Sequence, residues 1–371
     1  MKVLQIITKG EAGGAQTHLL ELCRGLHPQL ELSVVIGGSE AGGMLEPRLA
    51  ELGIPHQRLP QMLNSLSPWR VLLAAHALWR VLRQQRPDLM HAHSAMAGVT
   101  ARLAGILTGI PVVYTVHGFG FKPQVPRLQR LAALVVEWLL APFTARMICV
   151  SEHERELARR LPLPARRISV VHNGVQDHPL RASPATQPMR VIMVARCAPP
   201  KRHDLLLQAL ALAANRLGRE IAATLVGGGP QLATLRQQAR TLGLKQVDFT
   251  GDVDNVPDRL PRHGLFVLIS DHEGLPISVI EALRCGLPIL GSDLPGMREL
   301  IKQGQEGWLV PNRAEPLADA LVDLAGQPQE RARMGRAARR RYEEQYEARG
   351  MAQAVLADYG QILSHESRVH H

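Results

Sequence analysis

The sequence predicts an α/β protein of two doubly wound parallel domains, and three observations carry that prediction. Short apolar runs alternate with longer amphipathic ones along nearly the whole chain, the order that places helices on both faces of a parallel sheet. Glycine-bearing loops follow several of the apolar runs, where such sheets bind ligands. A Pro/Ser/Ala/Thr-rich segment at 176–188 interrupts the alternation, which restarts at Arg190. The 371 residues thus divide into a first domain, 1–175, a linker, 176–188, a second domain, 189–345, and a terminal helix, 346–371.

Composition narrows the partners. Hydrophobic residues make up 46% and charged residues 20%, as in a soluble globular chain, and 4% aromatics leave few stacking platforms for nucleic acid. The formal net charge is +10, and residues 1–172 carry +8 of it, with 19 Lys and Arg against 11 Asp and Glu. A basic first half fits an anionic surface or acceptor. Cys23, Cys149, Cys197 and Cys285 stand far apart in apolar contexts and read as reduced core thiols of a cytoplasmic chain. MKVLQIITKG has no secretory signal pattern, and the longest apolar run, 131–143, is too short to span a membrane and contains Glu137.

In the first half, strand 2–8 leads through Gly10, Glu11, Ala12, Gly13 and Gly14 into helix 15–26. Gly13 and Gly14 permit close backbone approach to a phosphate, although the spacing is not a dinucleotide fingerprint. Strand 32–36, helix 44–52, helix 68–85, strand 88–92, helix 96–107 and strand 112–116 follow. Helix 68–85 carries Trp69, Arg70, Trp79, Arg80 and Arg83 among leucines; such a helix docks at lipid headgroups or simply covers a sheet. His91 and His93 share one face of a strand and could converge on a metal, but no third ligand is apparent nearby, and no metal site is predicted. His117 ends strand 112–116, with Gly118 leaving its ring uncrowded. Helix 128–140, strand 147–150, the helix cap Ser151 with Glu154 three residues on, and strand 168–171 complete this half.

In the second half, strand 190–194 ends in Arg196, with Lys201 just before helix 203–214. A forked guanidinium and a mobile ammonium flanking a strand-to-helix loop suit a pyrophosphate. Strand 221–226 precedes Gly227, Gly228 and Gly229, and strand 247–250 precedes a polar turn. The apolar run 265–269 then enters SDHEGLPISVIEALRCG, residues 270–286. Pro276 fits the first helical position, which puts Glu273 in the loop and Glu281 about a turn and a half into the helix. The amides of Ile277, Ser278 and Val279 are left to meet an oxyanion or a hydroxyl oxygen. Two carboxylates beside a ring of donors suit a ligand with both phosphates and hydroxyls, as a nucleotide sugar has. No carboxylate pair is placed to hold a metal at a diphosphate; Asp252-Val253-Asp254 has the form but lies in the turn after strand 247–250. A basic helix at 330–340 runs on through 342–363, and nothing is assigned to His370 and His371.

The segments GEAGGAQ, TVHG, VSEHE, HNGV, VARCAPPK, LVGGGP, FTGDVDNVP, EGLPISVIEALRCGLPIL and SDLPGMRELI stand in this order over nearly the whole chain. Together they resemble glycosyltransferase family 4, retaining enzymes of GT-B fold, with Glu273 and Glu281 as the family's Glu-x7-Glu signature. The resemblance implies two Rossmann-like domains facing a cleft, and a C-terminal helix that crosses back to the N-terminal domain. Arg196 and Lys201 look like the pair that neutralises the diphosphate leaving group, and Glu281 like the ribose ligand. Glu273 looks like the carboxylate near the donor sugar, with the segment Gly274, Leu275, Pro276 and Ile277 holding sugar hydroxyls. His117 is similar to the histidine that faces the donor sugar. Gly13 and Gly14 resemble the loop that closes near the phosphates, and the stretch through Val253 and Val256 looks like the nucleobase contact; Gly227 opens a further close-approach loop before a helix. The family's Lys-Gly is Lys201-Arg202 here, which departs from the usual loop.

The implied activity is retaining transfer of a hexosyl or N-acetylhexosaminyl group from a UDP-sugar to a glycan or polyprenyl-linked acceptor in cell-surface polysaccharide synthesis. No cofactor, metal or nucleic acid is expected, and peripheral contact with an anionic membrane is. Two alternatives are a GT-B sugar-nucleotide epimerase and a NAD-binding oxidoreductase. The second is prompted by Gly227-Gly228-Gly229, which lacks the dinucleotide spacing.

Overall fold

The computed structural model describes residues 1–11, 13–38, 43–63, 65, 67–122 and 125–369, of 365–369 the backbone alone. Ala12 of the first glycine loop and the pair His370 and His371 lie outside the described residues. The chain forms two compact units, Met1–Gly174 with Ala348–His371, and Val175–Glu347.

The first unit comprises β1 (Lys2–Ile7), α1 (Gly14–Leu26), β2 (Glu31–Gly37), α2 (Leu45–Glu51), β3 (His56–Leu59), α3 (Pro68–Gln85), β4 (Leu89–Ala92), α4 (Ala95–Thr108), β5 (Val112–Val116), α5 (Arg127–Leu140), β6 (Arg146–Cys149), α6 (Glu152–Ala158) and β7 (Ile168–Val170). Its strands form one parallel sheet in the order β3-β2-β1-β4-β5-β6-β7. The central strands are near-continuous apolar runs because helices cover both faces. β3 is the element that the apolar-run criterion passes over: HQRL is polar and half-buried, as an edge strand permits. Strand order reverses between β1 and β4, so the loops leaving those strands diverge and open space at their carboxyl ends.

The second unit comprises β8 (Arg190–Val194), α7 (His203–Leu217), β9 (Ala222–Val226), α8 (Leu232–Thr241), β10 (Val247–Gly251), α9 (Val256–Arg259), β11 (Leu265–Leu268), α10 (Ile277–Cys285), β12 (Ile289–Ser292), α11 (Pro295–Leu300), β13 (Gly307–Val310), α12 (Ala314–Gly326) and α13 (Pro328–Gln345). Its parallel sheet runs β10-β9-β8-β11-β12-β13, with the reversal between β8 and β11. All four cysteines are buried and unbridged.

The segment 176–188 is not a free linker. Ala182 donates its amide to Cys285 O at 2.8 Å, and buried Arg331 donates to Pro184 O at 2.8 Å and Thr186 O at 3.1 Å. Gln187 adds a bond to Ala325 O at 3.0 Å. The segment has no helix and no strand of its own, so its order comes from a guanidinium about 145 residues away. The expected continuous terminal helix is likewise two. It breaks at Tyr346, whose backbone leaves the helical region at φ −126° and ψ 20°. There the Tyr346 hydroxyl donates to Glu299 O at 3.0 Å and its carbonyl accepts from Val175 N at 3.0 Å. Beyond the break, α14 (Ala348–Val369) adds Met351, Ala352, Val355, Tyr359 and Ile362 to the core that β1 and α1 share. Gly25 allows that contact, since a Cβ there would stand 2.6 Å from Ala352 Cβ.

His263 ties β9 to the loop before β11. Its Nδ1–H donates to Arg259 O at 2.9 Å, and its Nε2 accepts from Thr224 Oγ1 at 3.0 Å. Burial holds its pKa down to about 4. An unfolded histidine titrates near ~6.5, so between pH 6.5 and 4 the unfolded chain binds a proton that the native state does not. Stability therefore falls with falling pH across that window, by about 1.4 kcal/mol per pH unit for this group, and levels off below it. Urea unfolding from pH 7 to 4 should show His263→Gln losing one proton's share of the wild-type slope.

Candidate active site

In the second unit the loops after β8 and β11 are stitched together. Arg202 N donates to Ile269 O at 2.8 Å, Asp271 N to Pro200 O at 2.9 Å, and Ser270 Oγ to Pro200 O at 3.3 Å. Arg202, where the family has glycine, braces the junction with ion pairs to Asp204 at 2.9 Å and Asp271 at 3.3 Å. This stitching brings Lys201 Nζ into an ion pair with Glu273 Oε1, both side chains largely buried. Arg196 is exposed at the end of β8 and has no ion pair among the described residues. Burial, with the Lys201 charge adding to it, lowers His203 to about 4. At neutral pH the positive charge on this loop is therefore that of Arg196, Lys201 and Arg202.

Pro276 is the cap of α10 (φ −69°, ψ 120°), and the helix begins at Ile277, one position after the predicted start. Val279 N, which the start at Ile277 would leave open, instead closes a tight i→i−3 turn on Pro276 O at 3.2 Å. The amides left open at this helix start are those of Ile277 and Ser278, two of the three expected. Leu275, Pro276 and Ile277 are buried beneath the loop, and Glu281 lies half-buried on the first turns of α10. Gly274 packs on α11: a Cβ on Gly296 would stand 1.9 Å from Gly274 O. Val253 and Val256 are half-buried in the turn after β10, where α9 begins.

The glycines after β9 answer to the fold. A Cβ at Gly227 would lie 2.2 Å from Ala195 O and one at Gly229 2.5 Å from Cys197 O, at φ of 133° and 141°. Amides of this loop are engaged as well, Gly227 N with Gly251 O at 2.9 Å and Gly228 N with Asp252 Oδ1 at 2.6 Å. Gly227 thus presses its loop against the Arg196 loop, and its own amide is not open to a phosphate. The triple glycine has a packing reason, which removes the ground for a dinucleotide reading.

Gly13 and Gly14 behave differently. Gly13 is extended, a Cβ on it meets only the tip of Gln16, and one on Gly14 meets nothing within 4 Å. They leave open space at the start of α1 that the first unit does not need. His117 is half-buried just past β5. Glu154, buried and paired with Lys122, also accepts from Phe119 N at 3.2 Å and so pins the loop that follows His117.

His91 and His93, for which the sequence predicts no metal site, do lie together. Their rings do share a face, 4.1 Å apart. Yet both nitrogens of His91 are occupied, Nδ1 by the Tyr359 hydroxyl at 2.6 Å and Nε2 by Thr115 Oγ1 at 2.7 Å. His93 meets His18 of α1 and His117 instead. Burial lowers His18 to about 4 and, with neighbouring imidazoles adding to it, holds His91, His93 and His117 well below the usual range. All four are neutral at neutral pH.

The sequence profile described as "Glycosyltransferase Family 4" matches residues 12–178, and that described as "Glycosyl transferases group 1" matches 180–341. The chain belongs to glycosyltransferase family 4. A UDP-Gal:alpha-D-GlcNAc-diphosphoundecaprenol alpha-1,3-galactosyltransferase of Escherichia coli is 28% identical, over 71% of this chain and 73% of that protein. An N-acetyl-alpha-D-glucosaminyl L-malate synthase of Bacillus anthracis is 25% identical over 91% and 96%. Among solved structures, Anabaena Alr3699/HepE in complex with UDP and glucose has a TM-score of 0.83 at 21% identity, covering 97% of this chain and 99% of that one. Sucrose-phosphate synthase from Thermosynechococcus elongatus scores 0.82 at 19% identity, covering 98% and 100%. The protein is a glycosyltransferase of GT-B type.

In this glycosyltransferase, sequence reading missed the direct pairing of Lys201 with Glu273, the brace of Arg202 on Asp271, and His18 with its partner Asn173. Only pairwise geometry joins residues so far apart. The two glycine classes are separable by substitution. Gly227→Ala should lose about 2–4 kcal/mol of stability from steric overlap and strained backbone. Gly14→Ala should change stability by less than about 1 kcal/mol, as a helix-start substitution in open space. Urea unfolding of the two variants checks both, and equal losses would remove the distinction.

Proposed function

We propose that this enzyme transfers a sugar from a UDP-sugar to a lipid-linked, polyprenyl-diphosphate acceptor, with retention at the anomeric carbon, in cell-surface polysaccharide synthesis. The observation that carries the reading is the meeting of Lys201 and Glu273 beside the open amides of Ile277 and Ser278. In the donor complex the diphosphate replaces Glu273 as the counter-ion of Lys201, and Arg196 adds its fork. Glu273 and the helix-start amides then take sugar hydroxyls, Glu281 the ribose, and Val253 and Val256 the base. His117, Gly13 and Gly14 keep the roles that family resemblance gives them, toward the donor sugar and its phosphates. Support for the donor class comes from HepE, whose structures hold UDP, UDP and glucose, or UDP-glucose. Support for the acceptor comes from the E. coli relative, named for a diphosphoundecaprenol substrate.

In the step itself, the bond from the anomeric carbon to the β-phosphate oxygen breaks while the bond to the acceptor oxygen forms on the same face. The acceptor proton passes to the departing phosphate oxygen. Arg196, Lys201 and the amides stabilise the negative charge developing there, with no divalent ion at the diphosphate. A panel of UDP- and GDP-sugars, read by thermal shift and then by nucleotide release, should give responses to UDP-sugars alone. Lys201→Ala should lower turnover by about 10²–10³, and Glu281→Gln should act mainly on the donor KM. Added Mg²⁺ should leave the rate unchanged. Wild-type turnover in Lys201→Ala would sink the assignment.

The acceptor's membrane is met, in this proposal, by α5. This helix turns Glu137 inward to buried Arg102 at 2.8 Å and exposes Leu128, Leu131, Val135, Trp138 and Leu139. The amphipathic order of a sheet-covering helix is thereby inverted on its outer face. Helix α3, which by sequence either docks at lipid headgroups or covers a sheet, also exposes Trp69, Leu72 and Leu73, but Trp79 is half-buried beneath Arg83. No helix among the described residues is long and apolar enough to cross a membrane. Sedimentation with anionic vesicles at low salt should carry the wild type down and leave a Leu131→Glu, Leu139→Glu double variant in solution with unchanged unfolding. A wild type that stays in the supernatant removes the membrane from the proposal.

A further inference from the structure

Three imidazoles from three separate elements meet in the first unit: His18 in α1, His93 just past β4, and His117 just past β5. One ring nitrogen from each lies within 4.8 Å of the others. The ring nitrogens left without a hydrogen-bond partner are His18 Nε2, His93 Nδ1 and His117 Nε2.

The surrounding hydrogen bonds decide where the protons sit. The Tyr359 hydroxyl accepts from Gln5 Nε2 at 3.1 Å, so its single proton goes to His91 Nδ1 at 2.6 Å. His91 Nε2–H then donates to Thr115 Oγ1 at 2.7 Å. Gln5 Oε1, the other end of the same amide, accepts from His93 Nε2–H at 2.7 Å. The Nδ1 of His93 is therefore a lone pair. His18 Nδ1–H donates to Asn173 Oδ1 at 2.9 Å, which leaves Nε2 as a second lone pair. Neither has a hydrogen-bond partner among the described residues, and both rings lie beside that of His117. A water has two protons for up to three acceptors, whereas one Lewis-acidic cation satisfies all three.

Further features match such an ion. A tetrahedral zinc with Zn–N of about 2.1 Å holds imidazole centres roughly 5.3 Å apart. The ring centres here are 4.7, 5.4 and 6.1 Å apart. His18 and His93 each donate the other ring N–H to an amide oxygen, the outer contact that orients metal-binding histidines. A donor set of neutral nitrogens without carboxylate suits zinc-like ions over magnesium or calcium. His117 is half-buried, which leaves a side for entry and a fourth ligand.

We propose that His18, His93 and His117, all of the first unit, form a binding site for a zinc-like divalent transition-metal ion. A metal on His117 takes that nitrogen from a sugar hydroxyl, so ion binding and transfer exclude each other and the ion inhibits. This consequence rests on the role given to His117 above; the binding does not.

Metal-free full-length protein titrated with Co²⁺ should take up one equivalent, with the visible absorption of a tetrahedral cobalt–nitrogen site, and release it to Zn²⁺. His18→Gln and His93→Gln should each abolish the cobalt spectrum. Gln5→Leu, which removes only an outer contact, should weaken uptake about 10–100-fold. Thermal unfolding without metal confirms that each variant is folded. Absence of one-equivalent uptake by the wild type overturns the site, as does an unchanged spectrum in the folded His93→Gln protein. Uptake with undiminished nucleotide release keeps the site and overturns the role of His117 instead.

Discussion

The chemistry of the second unit depends on one junction, the stitching of residues 200–202 to residues 269–271 by backbone hydrogen bonds. These loops leave β8 and β11, the neighbouring strands at which the sheet order reverses. Diverging loops would ordinarily separate their side chains. Here the paired backbone holds Lys201 against Glu273, and the ion pairs of Arg202 lock both loops at their outer ends. The glycines after β9 close the third side by pressing backbone on backbone at Ala195 and Cys197. A cation, a carboxylate and an open helix start are thus fixed before any ligand arrives, which is the condition for electrostatic preorganisation.

The first unit is built on the opposite electrostatic choice. At its own point of reversal, between β1 and β4, the side chains gathered are buried imidazoles, kept neutral by desolvation. His93 and His91 are ordered by a directional hydrogen-bond chain that passes through Gln5 and Tyr359 of the C-terminal helix and ends on Thr115. That helix is therefore part of the chemistry of this unit as well as of its core. The break at Tyr346 stands next to Glu347, the last residue of the second unit.

Much of this was legible from local pattern. The apolar runs at 112–116 and 190–194 are strands with those bounds, and the helix over 68–85 is as predicted. Ser151 caps α6 by accepting from Glu154 N, as its spacing suggests. Failures fall where order is imposed from a distance. β3 is polar because an edge strand needs only one covered face, and 176–188 is held by Arg331 rather than by its own composition. The one-residue shift at Pro276 is the ordinary uncertainty of a helix end, and the Val279 amide is engaged by a tight first turn on Pro276 O.

The sequence by itself determined the fold class, the family, and which residue types stand at the strand ends, because periodicity, glycine loops and motif order are local properties of the chain. Only the tertiary structure decided which of those residues act together. It paired Lys201 with Glu273, gave Gly227 to packing and Gly14 to open space, and replaced His91 by His18 and His117 as companions of His93. The physical reason is the same each time. Partners across different strands and helices are chosen by sheet order and loop packing, and neither leaves a trace in the spacing of the residues concerned.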